Sequence, residues 1–494
     1  MIKNIKETLK HTAIYSIGSF ATKLIGIVLL PLYTAHISVT EYGILGVLEI
    51  TFLIASQVLI FGQSTSLLSY YHREGFENKR KIVFFSIFMM LGLSTFSVTM
   101  MFFSLSGPLS SFFETPSLFK LYFQISSGII FFRVMNNLLL NDLRAREKSV
   151  IYAASNITQL TVILALNIYF VAYLKIGISG ILYAYLIGEI LLTLILLFPS
   201  ISNMKFKIDL SIWKESFYFG LPLIFSSLAS MLLSMGDRYL LKLLVNYEEV
   251  GLYNLGYKIA GILNVFLIQS FMLGIMPLAF KKYGKQGDLR YYSKIMTYFI
   301  FILTWAGLGL AFFSQDLIKF FANDSSYWPA ATVVPIIILA YIFSGASSVA
   351  SISIILKRKT GYYALIYLIA FIANVGINLY LIPKYRMMGA AYATLISYII
   401  LYVCSYYFSI KLYKIPFENL KLLKVLSLGV IFYFFTFLYS PMSELINYSF
   451  KLSLLVLFPF TLLLLNFYEQ IELDRIKSIS VQFLRLIPGI KKYF

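Results

Sequence analysis

The sequence predicts an all-α integral membrane protein of about 14 transmembrane helices, arranged as two parallel six-helix lobes plus two extra C-terminal helices. Three observations predict it. Hydrophobic residues make up 59% of the 494 residues and charged residues only 13%, whereas a soluble domain is nearer half apolar and a quarter charged. The apolar residues fall in runs of roughly 20 or more, the length a helix needs to cross about 30 Å of hydrocarbon. The chain also resembles itself at an offset of about 208 residues.

In chain order the runs fall at about 12–35, 41–69, 82–106, 119–141, 149–174, 177–199, 216–245, 249–279, 292–314, 328–356, 360–383, 388–410, 422–440 and 447–468. They are too long for strands and lack two-residue alternation. The connections are short, and none can fold as a separate domain. The first run follows the basic stretch MIKNIKETLKH and exceeds a signal-peptide core in length. No small-residue cleavage site follows it, so it is expected to stay as the first helix.

The formal net charge is +19, from 41 Lys and Arg against 22 Asp and Glu. In a soluble chain this excess would suggest nucleic acid. Here it sorts by side of the membrane. With a cytoplasmic N-terminus, about 30 basic residues fall in cytoplasmic segments, among them Lys79, Arg80 and Lys81, Arg144, Arg146 and Lys148, and Lys357, Arg358 and Lys359. About 6 fall outside. That asymmetry is the positive-inside rule; it predicts cytoplasmic termini and removes the need for a nucleic acid partner.

The internal repeat rests on three matches in one order. EYGILGV (41–47) pairs with EVGLYNL (249–255), NIYF (167–170) with NLYL (378–381), and SGILYAYLI (179–187) with MGAAYATLI (388–396). Helices 1–6 then correspond to helices 7–12. Six is even, so both copies cross the membrane in the same sense, related by an axis along its normal. The predicted units are residues 1–205, residues 206–415, and residues 416–494 with helices 13 and 14 and a basic cytoplasmic tail. Two such lobes imply a cleft between them.

Charges inside the spans are the candidate functional residues, because a charge at mid-bilayer costs roughly 2.5–3.5 kcal/mol on insertion scales. The bases are Lys23, Arg133, Arg238, Lys242 and Lys258, and the acids Glu49, Glu189 and Asp237. Arg238 and Lys242 share a helix face, which suits a cationic cavity wall. The plainer alternative pairs Asp237 and Arg238 with another helix and lets Lys242 reach the outer interface. Arg133 lies in a polar stripe with Ser126, Asn136, Asn137 and Asn141; Lys258 lines up with Asn254 and Gln269, and Lys23 with Ser16 and Ser19. Such stripes mark a hydrated cavity or interhelical hydrogen bonds. The net positive balance suits a phosphate-bearing ligand better than a cationic one. Glu49 and Glu189 are read either as counterions of Arg133 and Lys258 or as sites that take up H+ or Na+. The expected cavity residues are thus Lys23, Arg133, Arg238, Lys258, Asn137 and Asn254, with Glu49, Glu189 and Asp237 beside them.

Other chemistry has no foothold in the sequence. The lone Cys404 forms no intrachain disulfide or Cys-based zinc site. There is no phosphate-binding loop, and no triad, metal cluster or outer domain with paired carboxylates. No catalytic residue and no cofactor is expected, apart from Na+ or H+ as a coupling ion. Most of the 38 Tyr and 45 Phe are assigned to lipid and interface contacts; some Tyr can stack on sugars, and the sequence singles out none of them.

Four stretches carry a resemblance. KLIGIVLLPLYTAHISVTEYGILGVLEI (23–50) resembles the first helical hairpin of bacterial polysaccharide transporters, the flippases of lipid-linked oligosaccharides such as O-antigen units. LRAREKSVIYAASNI (143–157), GDRYLLKLLVNYEEVGLYNLGYKIA (236–260) and IPKYRMMGAAYATLISY (382–398) resemble matching segments, and the resemblance covers nearly the whole chain. That family shares a superfamily with multidrug exporters and the peptidoglycan-precursor flippase. The resemblance implies two six-helix lobes around a cationic cavity. It further implies movement of undecaprenyl-pyrophosphate-linked sugars from the inner to the outer leaflet of the bacterial plasma membrane. Implied partners are the lipid-linked oligosaccharide, membrane lipids, and a polysaccharide polymerase with chain-length machinery. Two other readings stay open: a cation-coupled multidrug exporter, which would favour an acidic cavity, and a membrane polysaccharide polymerase or ligase, which would need catalytic residues in an outer loop.

Overall fold

The structure is a computed structural model and describes residues 25–71, 79–113, 115–438, 443–470 and 473–474, without the side chains at 222, 223, 225 and 226. It contains helices and no strand among the described residues. The first half comprises α1 (Leu30–His36), α2 (Val39–Ile60), α3 (Gln63–Tyr71), α4 (Arg80–Ser104), α5 (Ser106–Ser110), α6 (Pro116–Ala145), α7 (Ser149–Asn167) and α8 (Gly177–Ile201). The second comprises α9 (Leu210–Met235), α10 (Asp237–Leu244), α11 (Tyr247–Leu263), α12 (Ser270–Lys282), α13 (Asp288–Phe312), α14 (Ser314–Phe321), α15 (Val334–Ala350), α16 (Ile352–Leu356) and α17 (Thr360–Tyr413). Helices α18 (Asn419–Leu438) and α19 (Glu444–Leu464) complete the chain. Short π-helical turns, Ile168–Tyr173 and Asn264–Gln269, extend α7 and join α11 to α12.

Eleven helices among the described residues are long and apolar enough to cross a membrane, so this is a multi-pass membrane protein. The expected count of 14 is not reached by that measure. The spans at 360–383 and 388–410 run together as the 54-residue α17, broken only by the kink at Arg386 (φ 52°). The first span is described only from residue 25, and α9, a 26-residue helix, is not among the eleven.

The two copies of the repeat start and turn alike. Ser38 caps α2 by accepting from the Glu41 amide, and Asn246 caps α11 by accepting from the Glu249 amide. Each cap satisfies an N–H that the first helical turn leaves unpaired. The connection after α6 turns at Glu147 (φ 56°) and that after α16 at Arg358 (φ 57°). In both, the turn residue donates back to Arg144 or Ile355 and the next amide to Leu143 or Ile354.

The same symmetry governs how the halves touch. Helices α2 and α11 cross at glycines. A methyl group on Gly43 would sit 1.8 Å from the Tyr247 carbonyl oxygen, and one on Gly251 would sit 2.1 Å from that of Val39. The two contacts interchange under a shift of 208 residues (39 to 247, 43 to 251), the mark of a local two-fold axis between these helices. Only the missing Cβ lets the backbones come this close. Nearby, Thr34 donates to the Phe321 carbonyl (2.6 Å) and Tyr327 to that of Ile37 (2.8 Å).

A second seam lies toward the other end of α2. There α2 gives way to α3 at Phe61 (φ 52°), and a methyl on Gly220 of α9 would meet the Phe61 carbonyl at 1.9 Å. Gln63 donates to Ser216 O (3.3 Å) and Trp213 to Ser86 O (2.7 Å). The halves are therefore joined at two levels, one at the start of α2 and α11 and one at the start of α9.

Candidate functional site

The stretch SMGDRYLLKLL (234–244) places an acid and two bases at the junction of α9 and α10. Asp237 is fully buried and Arg238 is 3% exposed. The guanidinium folds back along its own backbone, donating to Asp237 Oδ1 (2.9 Å), the Ser234 carbonyl (3.2 Å) and Asn254 Oδ1 (3.4 Å). It lies 4.1 Å from the centroid of Tyr257 and 5.2 Å from that of Tyr253. Asp237 Oδ2 accepts from Tyr253 (2.5 Å) and Thr394 (3.1 Å). A buried ion pair recovers its desolvation cost only when the remaining hydrogen-bond positions are filled, as here. Arg238, expected in a cavity wall, is here buried and paired with Asp237. Lys242 lies over the rings of Phe113 (5.4 Å) and Tyr247 (5.6 Å), near the end of α10.

In the first half, Arg133 on α6 pairs with Glu189 on α8, Nε to Oε1 at 3.0 Å. Asn136, one turn on, donates to the other carboxylate oxygen at 2.8 Å and to the Glu189 carbonyl at 2.9 Å. Asn137 accepts from Ser64 on α3 (2.5 Å) and from Asn141 (3.2 Å), so part of the polar stripe of α6 is spent on interhelical bonds. The Arg133 side chain nevertheless keeps 25% of its surface exposed.

The third pair joins the halves. Lys258 on α11 meets Glu49 on α2 at 3.3 Å, with side-chain exposures of 20% and 23%. Tyr185 on α8 donates to the other Glu49 oxygen at 3.4 Å, and Lys258 lies 5.2 Å from the Tyr42 ring centroid. Tyr185 and Glu189 are four residues apart on one face of α8. A continuous polar line therefore runs from Lys258 through Glu49 and α8 to Arg133. Asn254 stands beside it; its amide nitrogen is buried without a partner, and a methyl on Gly46 would lie 2.8 Å from it. Glu49 and Glu189 thus stand geometrically as counterions. Lys23 lies outside the described residues.

A cavity of about 590 Å³ opens elsewhere, inside the second half, between α9, α11–α12, α15–α16 and α17. None of the expected cavity residues Arg133, Arg238, Lys258, Asn137 and Asn254 lines it. In this structure Arg133, Arg238 and Lys258 are paired with acids, and the open volume described is uncharged. Its wall carries Tyr257, Tyr341, Tyr363, Tyr367 and Tyr398, with serines on α9, on α15 and at the junction of α15 and α16. Sequence reasoning missed these residues. The available signal was the run Ser344, Ser348 and Ser351 at one-turn spacing, facing a tyrosine pair, Tyr363 and Tyr367, one turn apart.

A family model described as "Polysaccharide biosynthesis protein" matches residues 8–283. An uncharacterized membrane protein of Methanocaldococcus jannaschii is 24% identical over 240 residues, 47% of this chain and 46% of its own, so the match spans under half of that relative. Among solved structures, the lipid II flippase MurJ in an inward closed conformation superposes with a TM-score of 0.74 at 17% identity, covering 90% of this chain and 98% of MurJ. An inward-facing multidrug resistance transporter of the MATE family gives 0.65 at 12% identity, covering 84% and 96%. A MOP-superfamily transporter from Pyrococcus furiosus gives 0.62 at 14%, covering 82% and 95%. The chain belongs to the polysaccharide biosynthesis protein family, and it has the fold of these MOP-superfamily transporters.

Proposed function

We propose that the chain is a flippase. It carries the head group of an undecaprenyl-pyrophosphate-linked oligosaccharide from the inner to the outer leaflet of a bacterial plasma membrane, for surface polysaccharide synthesis. The observation that carries this reading is the Lys258–Glu49 pair: a cation and an anion from opposite halves, at 3.3 Å, each still about one-fifth exposed. A sealed pair cannot exchange partners; a partly hydrated one can. A diphosphate brings more negative charge and more acceptor oxygens than one carboxylate, so it competes with Glu49 for Lys258. Arg133, 25% exposed at the far end of the same polar line, offers a second cation.

Displacing Glu49 removes one tie between α2 and α11 and leaves a carboxylate free to take up H+ or Na+. The halves then rock about their glycine crossing, opening one seam as the other closes. The polyprenyl tail stays in lipid, so only the polar head has to be shielded. No covalent step is required of the protein, and a polymerase would take the delivered unit at the outer face. The MurJ description as a lipid II flippase supports this substrate class by analogy of fold.

The test is translocation of a fluorescent undecaprenyl-pyrophosphate-linked disaccharide in vesicles containing the full chain. Lys258→Gln should lower the rate at least tenfold at unchanged folded protein, and Lys258→Arg should keep most of it. An unchanged rate in a folded Lys258→Gln protein would remove the reading. A cationic dye efflux assay addresses the exporter alternative, which predicts efflux that depends on Glu49.

A further inference from the structure

The uncharged cavity of the second half has no role in the ion-pair account above. We propose that it is a binding site for neutral sugar rings, separate from the cations that meet the diphosphate; this rests on the flippase reading and assigns the glycan to one half of the molecule. The wall chemistry points there. Among the described lining residues there is no Lys, Arg, His, Asp or Glu. An ionic group would enter without a counterion, at a desolvation cost the site does not offset. A purely apolar ligand would strand the hydroxyl and amide groups of the wall, among them Asn264.

A pyranose meets both conditions. Its C–H faces lie against aromatic rings, and its hydroxyls both donate and accept. Tyr257, Tyr341 and Tyr398 are 6%, 6% and 5% exposed, with Tyr257 and Tyr341 edge to face at 5.6 Å. Tyr363 and Tyr367 form a second group, joined hydroxyl to hydroxyl at 3.1 Å. Tyr257, Tyr341 and Tyr398 all line the cavity, the Tyr257 hydroxyl itself being buried within the wall.

Size agrees. A volume of about 590 Å³ lies within the roughly 300–1,000 Å³ of pockets that enclose drug-sized ligands, room for a short oligosaccharide but not a polyprenyl chain. Placement agrees too. The lining runs along α15 and α16 to Ile355 and resumes at Tyr363, on either side of the basic turn Lys357, Arg358 and Lys359. Basic turns mark the cytoplasmic end, where a lipid-linked unit would load.

The first half shows what the second lacks. The turn residues Glu147 and Arg358 correspond at a shift of 211, which carries Arg133 onto Ser344; a shift of 209, from the SGILYAYLI and MGAAYATLI match, carries Glu189 onto Tyr398. Where one half holds an ion pair, the other holds a serine and a tyrosine on the wall of open space.

The probes are cellobiose and diacetylchitobiose as neutral disaccharides and digalacturonic acid as an acidic one, titrated by calorimetry into the full chain in nanodiscs. At least one neutral disaccharide should bind saturably and at least tenfold tighter than the acidic one. Ser344→Arg, which writes the first-half cation into the wall, should abolish or reverse that preference; Tyr341→Ala should weaken neutral binding at least fivefold. Thermal unfolding checks that each variant is folded, and Tyr341→Phe supplies a milder change if the alanine variant fails. No saturable neutral binding, or an acidic preference in the unsubstituted chain, overturns the proposal. Lys258→Gln separates the two readings. If disaccharides fail to bind while translocation still depends on Lys258, only the sugar site falls; if they bind and Lys258→Gln translocates fully, only the flippase reading falls.

Discussion

The two halves spend polar side chains at corresponding depths in opposite ways. In the first, Arg133, Glu189 and Asn136 neutralise one another between α6 and α8. In the second, Ser347 reaches Ser405 at 2.8 Å between α15 and α17, and the next positions open into a cavity. Lower contacts match more closely: Asp142 with Ser200 at 3.4 Å in one half, Ser353 with Ser409 at 2.9 Å in the other. One backbone arrangement thus carries charge on one side of the axis and uncharged hydrogen-bonding surface on the other. A substrate with an anionic joint and neutral rings has both kinds of surface to meet.

The comparison is tested hardest at the buried charge pair of the second half, Asp237 with Arg238. If its role is structural, Arg238→Ala strands a buried carboxylate, at a cost of about 3–5 kcal/mol. The expected outcome is a steep fall in folded protein by fluorescence-detected size exclusion, before transport can be read. The double change Asp237→Leu with Arg238→Met should recover much of that loss. An Arg238→Ala protein that stays monodisperse but does not translocate would return Arg238 to the transport site and blur the contrast between the halves.

A second prediction concerns what the halves share. Gly43 and Gly251 make equivalent contacts across the local axis. Valine at either forces the helices apart, and overpacking of this kind typically costs 1–3 kcal/mol. Gly43→Val and Gly251→Val should therefore lower thermal stability by similar amounts and raise thiol-reagent access to a cysteine placed at Thr34. Gly220→Val, at the other seam, should leave that access unchanged. Unequal effects at the two equivalent glycines would show that the repeat is broken where the halves meet.

Much of this was legible in the chain, for reasons that differ by residue. Run length is a local property, so the helical, membrane-spanning character of the chain could be read directly, with eleven such helices among the described residues. Every member of the three intramembrane ion pairs could be named, because a charge among apolar neighbours stands out. Glu49 and Glu189 could also be read as counterions of Arg133 and Lys258, but which acid meets which base could not: Lys258 and Glu49 are 209 residues apart, and helix packing alone brings them together. The spacing of Arg238 to Lys242 suggested a shared face, whereas its long side chain folds back to Asp237 next door, a contact that helix periodicity does not give. The tyrosines of the cavity were hidden by number: with 38 in the chain, only packing separates those that meet lipid from those that face inward. The start of the first span, with Lys23, lies outside the described residues.

The smallest expected effect concerns α18 and α19, which have no counterpart in the first half. They are tied to α13 by Lys294, which bonds Glu418 at 2.8 Å and Glu469 at 2.5 Å, while Arg290 reaches Glu469 at 3.0 Å. Hydrogen bonds from Lys294 hold the Glu469 carboxylate below its ordinary range. Glu418 is also lowered: burial pushes it up, but bonds from Lys294 and Thr297 together outweigh that. A carboxylate depressed in the folded state adds stability that is complete above its unfolded value, about 4.3, and is lost as pH falls through the lower folded value. These groups are partly exposed, so the contribution is modest, under about 1 kcal/mol. Between pH 7 and 5 hydrogen exchange in α18 and α19 should not change; below about pH 4 it should rise there first, while α6 and α8 stay protected. Lys294→Met should give the fast exchange already at pH 7. Equal loosening of α6 and α8 under acid would mean that Glu189, whose side chain is 9% exposed, takes up protons as readily as this cluster, and the difference between the first half and the added helices would fail.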